Sequence, residues 1–315
     1  MGRARGANAR MITAFEGAVG TPPADGYFQT PFVSSMLGEE RGLIESDLLG
    51  MGREPQDPTE DVANNVGDVV VPVDARHFGR WLKLYFGAPT TSQPDAEEEI
   101  YSHVFASGAL TLPSMAIEIG NPEIPTYAMH YGARGNTLKI AMQRSGLLNA
   151  TLALIAIGEA DPAGATKDGT PTALDVVRFA QAAGSIKKAG VELGNVVSAE
   201  FTFSNGLDPV EVIKADGRIA DADPGMIAVT GAITVRFADM TLLDAATGQD
   251  PIALSFGWAR DAFSLLFEVP RVFLPRVKRP VEGPRGIQAT FNWQASGAEA
   301  ASMTATLVND VTSYA

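Results

Sequence analysis

Three histidines, His77, His103 and His130, are the side chains best suited to proton transfer or metal ligation near neutral pH. No two of them stand four apart, so no helix face presents a ligand pair. His77 falls at the start of a predicted helix and the other two in or beside loops, which reads as polar surface or core rather than catalysis. Gly132-Ala133-Arg134-Gly135 lacks the lysine and the following helix of a phosphate loop. Asp221-Ala222-Asp223 lacks the glycine and closing glutamate of a calcium loop and reads as a turn. The basic string Pro270–Pro280 has the charge to touch phosphate, but its prolines favour an extended arm that blunts strand pairing. The chain contains no cysteine, which excludes thiol chemistry, disulfides and cysteine-based zinc sites. No catalytic residue, metal or cofactor is assigned, and the chain is not expected to be an enzyme.

The elements that would position these groups are mostly strands. The chain has 315 residues, 45% apolar and 19% charged, enough to bury a sizeable core, and its 32 glycines and 20 prolines imply many turns. Strands are predicted over Gly67–Val73, Leu112–Ile119, Leu138–Met142, Thr151–Ile157 and Val196–Phe203. Further strands follow over Ile227–Phe237, Ser264–Val269, Ile287–Trp293 and Thr304–Val308. Phe78, Trp81, Leu82 and Tyr85 are spaced three and four apart, predicting a helix over Ala75–Phe86 with Asp74 as its N-cap. Short helices are predicted over Ala173–Ala182, capped by Thr172, and over Met240–Ala246. No regular β-α-β alternation is present, so the fold class is mainly β or α+β. The longest apolar run, Leu147–Ile157, is too short to span a bilayer, and no signal-type segment follows the basic start, so a soluble chain is expected. The net charge of −13 argues against a nucleic-acid-binding surface.

The two halves echo one another. Gly52-Arg53 precedes the strand glycine Gly67 by 14 residues from Arg53, and Gly217-Arg218 precedes Gly231 by 13 from Arg218. Each strand leads to an aspartate, Asp74 or Asp239, and a helix. Later strands end in Gln143-Arg144-Ser145-Gly146 and Gln294-Ala295-Ser296-Gly297, each followed by a closing strand, Thr151–Ile157 or Thr304–Val308. The first half is longer by 13 residues, the length of the acidic loop Ala88–Ile100. This predicts a first domain over 1–160, a linker with a short helix over 161–185 and a second domain over 186–315.

Several strings together resemble the tail tube proteins of long-tailed phages and related proviruses. They are Pro31–Ser35, Gly42–Gly50, Gly67–Asp74, Leu193–Phe201, Asp216–Gly225 and Val269–Pro280. The resemblance implies two tandem β-sandwich or barrel-like domains, each with a flanking helix, and edge-to-edge joining of subunits around a lumen. Rings would stack into the virion tail, through which DNA passes without specific binding, after assembly in the host cytoplasm. Tape measure and tail-terminator or tip proteins would be partners. Single-domain tube proteins form hexameric rings, so a chain with two domains is expected to form a homotrimer of pseudo-sixfold symmetry, with a hexamer as the alternative.

Contacts between subunits are expected from three stretches. The first runs from Val33 to Gln56, with Phe32 beside it, and offers Leu43, Ile44, Leu48, Leu49 and Arg53. The second is the acidic run Glu97, Glu98, Glu99. The third is the arm with Arg271, Phe273, Arg276, Lys278 and Arg279. Carboxylates lining the lumen would repel DNA in transit. The rival readings are a tail-completion or capsid-associated virion protein, a carbohydrate-binding β-protein and, less well supported, a hydrolase. The last lacks convergent titratable groups. Trp81, Trp258 and Trp293 lie in apolar periodic segments and are expected in the core rather than in a sugar groove.

Overall fold

The computed structural model describes residues 3–236, 241–278 and 286–314. It is mainly antiparallel sheet with two α-helices among the described residues. The first half contains β1 (Arg10–Phe15), β2 (Gly38–Ile44), β3 (Thr59–Pro72), α1 (Phe78–Phe86), β4 (Tyr101–Ala106), β5 (Met115–Asn121), β6 (Thr126–Met142), β7 (Asn149–Ala156) and β8 (Gly158–Ala163). The second contains β9 (Gly184–Lys188), β10 (Val196–Ser204), β11 (Ala228–Arg236), α2 (Thr241–Gly248), β12 (Ile252–Arg260), β13 (Phe263–Phe273), β14 (Gln288–Ala295) and β15 (Thr304–Asn309).

One sheet runs through both halves in the order β2–β3–β7–β6–β10–β11–β14, all neighbours antiparallel. The end of β13 adds Val272 and Phe273 beside β14. Strict alternation explains its two faces. Leu138, Ile140, Leu152, Leu154, Phe201, Phe203, Ile233 and Phe291 are buried on one face, and the residues between them, mainly threonines and charged groups with Ala141, Ala153, Ile155 and Ala232, form the other. A second layer, β9–β12–β13–β15–β4, covers the buried face. Phe201 packs 5.2 Å from Phe256 and 4.8 Å from Phe267 across that interface, and Phe256 stacks on Trp293. The other half of β6 pairs with β5 and β8, and β1 extends this group beyond β5. Among the described residues the strands do not close into a barrel. The main hydrophobic cluster draws on both halves.

α1 is buried along almost its whole length because Phe78, Trp81, Leu82, Leu84, Tyr85 and Phe86 occupy more than one face. Phe86 stacks on Phe203 at 4.4 Å, and the Tyr85 hydroxyl bonds the carbonyls of Thr137 and Ala153. Its N-cap is His77, not Asp74. Asp74 instead accepts the backbone N–H groups of Arg76 and His77, forming the turn that leads in. The helix expected over Ala173–Ala182 is absent, and only a 3-10 turn, Gln181–Ala183, forms there. Its backbone is spent on the end of β3: Ala75 N–H bonds Val177 O, and Phe179 N–H bonds Val73 O. Residues 237–240, where the second predicted helix begins, lie outside the described residues, and α2 follows at Thr241. All three tryptophans are core residues, as expected.

The halves share a specific local geometry. A Cβ on Gly67 would lie 2.2 Å from the Met36 carbonyl oxygen, and one on Gly231 would lie 2.2 Å from the Glu200 carbonyl oxygen. Glu200 and Gly231 each lie 164 residues after Met36 and Gly67. Opposite these glycines sit Leu154 on β7 and Trp293 on β14. So β14 holds in the second half the place that β7 holds in the first. The strand ending at Gln294 therefore matches β7 in position, not the strand ending at Gln143, and β15 lies in the other layer. The shared Gln-x-Ser-Gly strings mark similar strand ends, not equivalent strands.

Candidate assembly surfaces

The outer face of the long sheet is rich in hydroxyls and amides, with small and aliphatic residues such as Val66, Val70, Ala153 and Ala228 among them. One row across it runs Val70, Thr151, Lys139, Thr202, Thr230, Gln294. The next runs Asp68, Ala153, Thr137, Ser204, Ala228. From β3 at Val66–Val70 across to β14, its ionised groups among the described residues are Asp68, Arg134, Lys139, Glu200 and Arg236. Lys139 pairs with Glu200 at 3.0 Å, and Arg134, buried in the row of Val66 and Ile155, pairs with Asp221 at 2.9 Å. This face therefore does not carry the chain's acidic surplus. Glu97, Glu98 and Glu99 instead stand exposed in the loop before β4, at the edge of the second layer.

At one end of the sheet, β2 and β3 continue as a hairpin whose connection runs through residues 45–58. Leu48 is 65% and Leu49 96% exposed there, and Leu43, Ile44, Met51 and Arg53 are exposed nearby. Leu110, Ile213 and Met226 are also exposed at this end. The sequence reading missed these three, and no local signal sets them apart, since Leu110 stands near Leu112, Ile213 follows Val212 and Met226 precedes Ile227. At the opposite end, α2 and the segment after β9 border an open pocket of about 500 Å³, lined by Leu193, Val235, Leu242, Leu243 and Phe291 and also by Lys188, Glu192, Asn195 and Arg236. Phe32 is half-buried and packs on the core. In the arm, Arg276 and Lys278 are exposed, whereas Arg271 and Phe273 are half-buried in β13. Arg271 bonds Glu299 at 2.7 Å. Arg279 lies outside the described residues.

The histidines are structural. His77 and His103 bond the carbonyls of Leu174 and Val311 through Nε2. His130 is 2% exposed and bonds Asn65, and burial pushes its pKa down against the pull of Glu159 and Glu39. Beside it, Glu39 and Glu159 each accept the other's backbone N–H, and Arg218 clamps Glu39 at 2.7 Å. Burial alone would raise the Glu39 pKa, but the bonds from Arg218, the Glu159 N–H and Arg41 hold it below the usual range. Among the described residues no group of His, Asp and Glu is placed to hold a metal ion. No described helix is long and apolar enough to cross a membrane.

One ion pair fastens the C-terminal segment. Arg76 bonds Asp310 at 2.6 Å, and these bonds hold the Asp310 carboxyl below the usual range in spite of partial burial. A depressed folded-state pKa contributes stability that is complete above the unfolded value of about 3.9 and is lost as pH falls through the folded value. Thermal melts from pH 5 down to pH 2.5 should therefore show Asp310→Asn less stable than the parent at the upper end, with the two curves converging in acid. Parallel curves across that range would remove the assignment.

The model of a family described as phage tail tube protein matches residues 6–295. A comparison with curated proteins finds no match.

Proposed function

The chain belongs to the phage tail tube protein family, and from that premise we propose how its surfaces build the tube. It is a structural component of the virion tail. In this reading it is a duplicated subunit with no catalytic role. The first unit spans 1–160, a linker follows over 161–185, and the second unit spans 186–315. Three copies form a pseudo-sixfold ring. The observation that carries this is the antiparallel junction of β6 with β10, which joins two strand sets of like order inside one chain. The matched glycines Gly67 and Gly231 support the same repeat. Repeating that junction between chains closes a head-to-tail ring.

The polar sheet face then lines the bore. Its balanced charges differ from the carboxylate lining expected from composition. A face without a basic stripe gives DNA phosphates no footing, so DNA slides past hydroxyls and amides. The apolar hairpin tip at one end can seat its leucines on the apolar part of the pocket at the other, Leu193, Val235, Leu242 and Leu243, which suits stacking of rings along the axis. The exposed Glu97–Glu99 loop faces away from the bore. Tape measure and tail-terminator or tip proteins complete the partner set. Cryo-electron microscopy of assembled tubes tests the ring directly. Three chains per ring are expected, and six would overturn the stoichiometry.

A further inference from the structure

The edge formed by residues 33–44 has one side bonded to β3, through short Ser34–Ser35 pairing and then β2. Among the described residues no strand pairs with its other side. Along 37–40 two N–H groups point that way, and both are occupied by side-chain oxygens. Leu37 N–H bonds Ser35 Oγ at 3.3 Å, and Glu39 N–H bonds Glu159 Oε2 at 3.0 Å. Such plugs protect an edge from indiscriminate pairing while leaving it free for a stronger ladder.

The chain contains its own template for what should pair there. Edge residues 35–40 correspond to 199–204 on β10 by the offset that relates Met36 to Glu200. In β10, Phe201 pairs with Ile140 and Phe203 with Leu138, both on β6. Ile140 faces Ala150 and Leu138 faces Leu152 on β7. Because Leu154 matches Trp293, these positions match Ala289 and Phe291 on β14. The β13–β14 pairing ends at Phe273↔Gln294, and after it Val277 rests on the core with Arg276 and Lys278 exposed; continuing that register on assembly would turn the arm so that Lys278 stands opposite Ala289 and Arg276 opposite Phe291. The arm at 275–278 is thus the counterpart of the β6 segment that meets β10.

We propose that in the assembled ring residues 275–278 of one chain add as an antiparallel strand to the 37–40 edge of the next, pairing Leu37 with Lys278, Gly38 with Val277 and Glu39 with Arg276. This deepens the ring reading above and rests on it. Three features agree. The outward N–H groups of Leu37 and Glu39 are those the register needs, and the carbonyls of Lys278 and Arg276 replace the two plugs. Pro275 has no N–H, but alternation aims that position at its own β14, so the neighbour loses no bond. Charge is complementary, with exposed Glu40 on the edge and Arg276 and Lys278 on the arm, while Glu39 is already neutralised by Arg218. The in-chain junction is aromatic and aliphatic, whereas this one is polar, as suits a joint made only on assembly.

The test uses disulfides in a chain that has no native cysteine. Gly38 and Val277 form a non-hydrogen-bonded pair, with Cα atoms about 4.5 Å apart, within disulfide reach. A Cβ at Gly38 meets nothing within 4 Å. Tubes of Gly38→Cys/Val277→Cys, assembled under reducing conditions and then oxidised, are expected to give covalent species that end at the trimer on non-reducing gels. Glu40→Cys/Pro275→Cys occupies the next such pair and serves if the first variant fails to assemble. Tubes that form but cross-link in neither pair overturn the junction, as does cross-linking only in the slipped pair Met36→Cys/Val277→Cys. Failure of the unmodified chain to form rings at all sinks the tube-ring reading itself, and the junction with it.

Discussion

Gly67→Val and Gly231→Val should each destabilise the folded chain by about 3 kcal/mol, measured by urea unfolding. At both positions the missing Cβ would lie 2.2 Å from a backbone carbonyl oxygen of the neighbouring strand, a distance that no rotamer change relieves. At Gly231 it would also lie 2.5 Å from the Trp293 ring, so that valine displaces a buried indole as well. Gly67 has no such second contact among its nearest atoms, which are all backbone of Met36 and Leu37. The loss at Gly231 is therefore expected to be the larger. Gly38→Val is the control, because open space surrounds that position, and it should stay within about 0.5 kcal/mol of the parent. A near-neutral effect at either clashing position would remove the argument that the halves share one hairpin geometry.

Those glycines also show how far the sequence could be read. Gly67 and Gly231 were visible as strand residues before helices, and the repeat in sequence rests on them. Their real environment, a carbonyl pressed into the place of a side chain, depends on how β2 and β10 lie beside β3 and β11, and no local pattern reports that. The core strands were legible where apolar residues alternate, as at Leu138, Ile140 and Met142 or at Phe201 and Phe203. β12 carries the same signal in Ile252, Leu254, Phe256 and Trp258, and the sequence reading passed over it. The first half of β6 was hidden by Gly132 and Gly135, which read as a loop but lie inside a long strand that serves two sheets. The predicted helix over 173–182 failed for a different reason. Its apolar residues Val177 and Phe179 are two apart, a strand spacing, and the end of β3 recruits that stretch. For the assembly surfaces, composition located the exposed stretches, but face and end came only from register. The net charge could not reveal that the acidic excess avoids the polar sheet face.

Replacing residues 46–57 by a two-residue Asn-Gly turn should leave the chain folded and abolish tubes. None of these residues belongs to a core cluster, and nearly all are exposed, so their removal breaks no packing. Closing a shorter loop changes stability by only about 1 kcal/mol, in the favourable direction. The intrachain sheet and the 37–40 edge remain, so rings should still close. Stacking is what should fail. If Leu48 and Leu49 enter the pocket of the next ring, each contributes about 2 kcal/mol on burial. The copies in a ring act together, so the loss multiplies around the circle. Electron microscopy and sedimentation should then find discrete rings where the parent gives tubes, and Leu48→Ser/Leu49→Ser should weaken stacking in the same direction. Tubes of ordinary length from the shortened chain would sink the axial role of the hairpin. Loss of rings as well as tubes would overturn it too, because the tip would then be acting between neighbours within a ring.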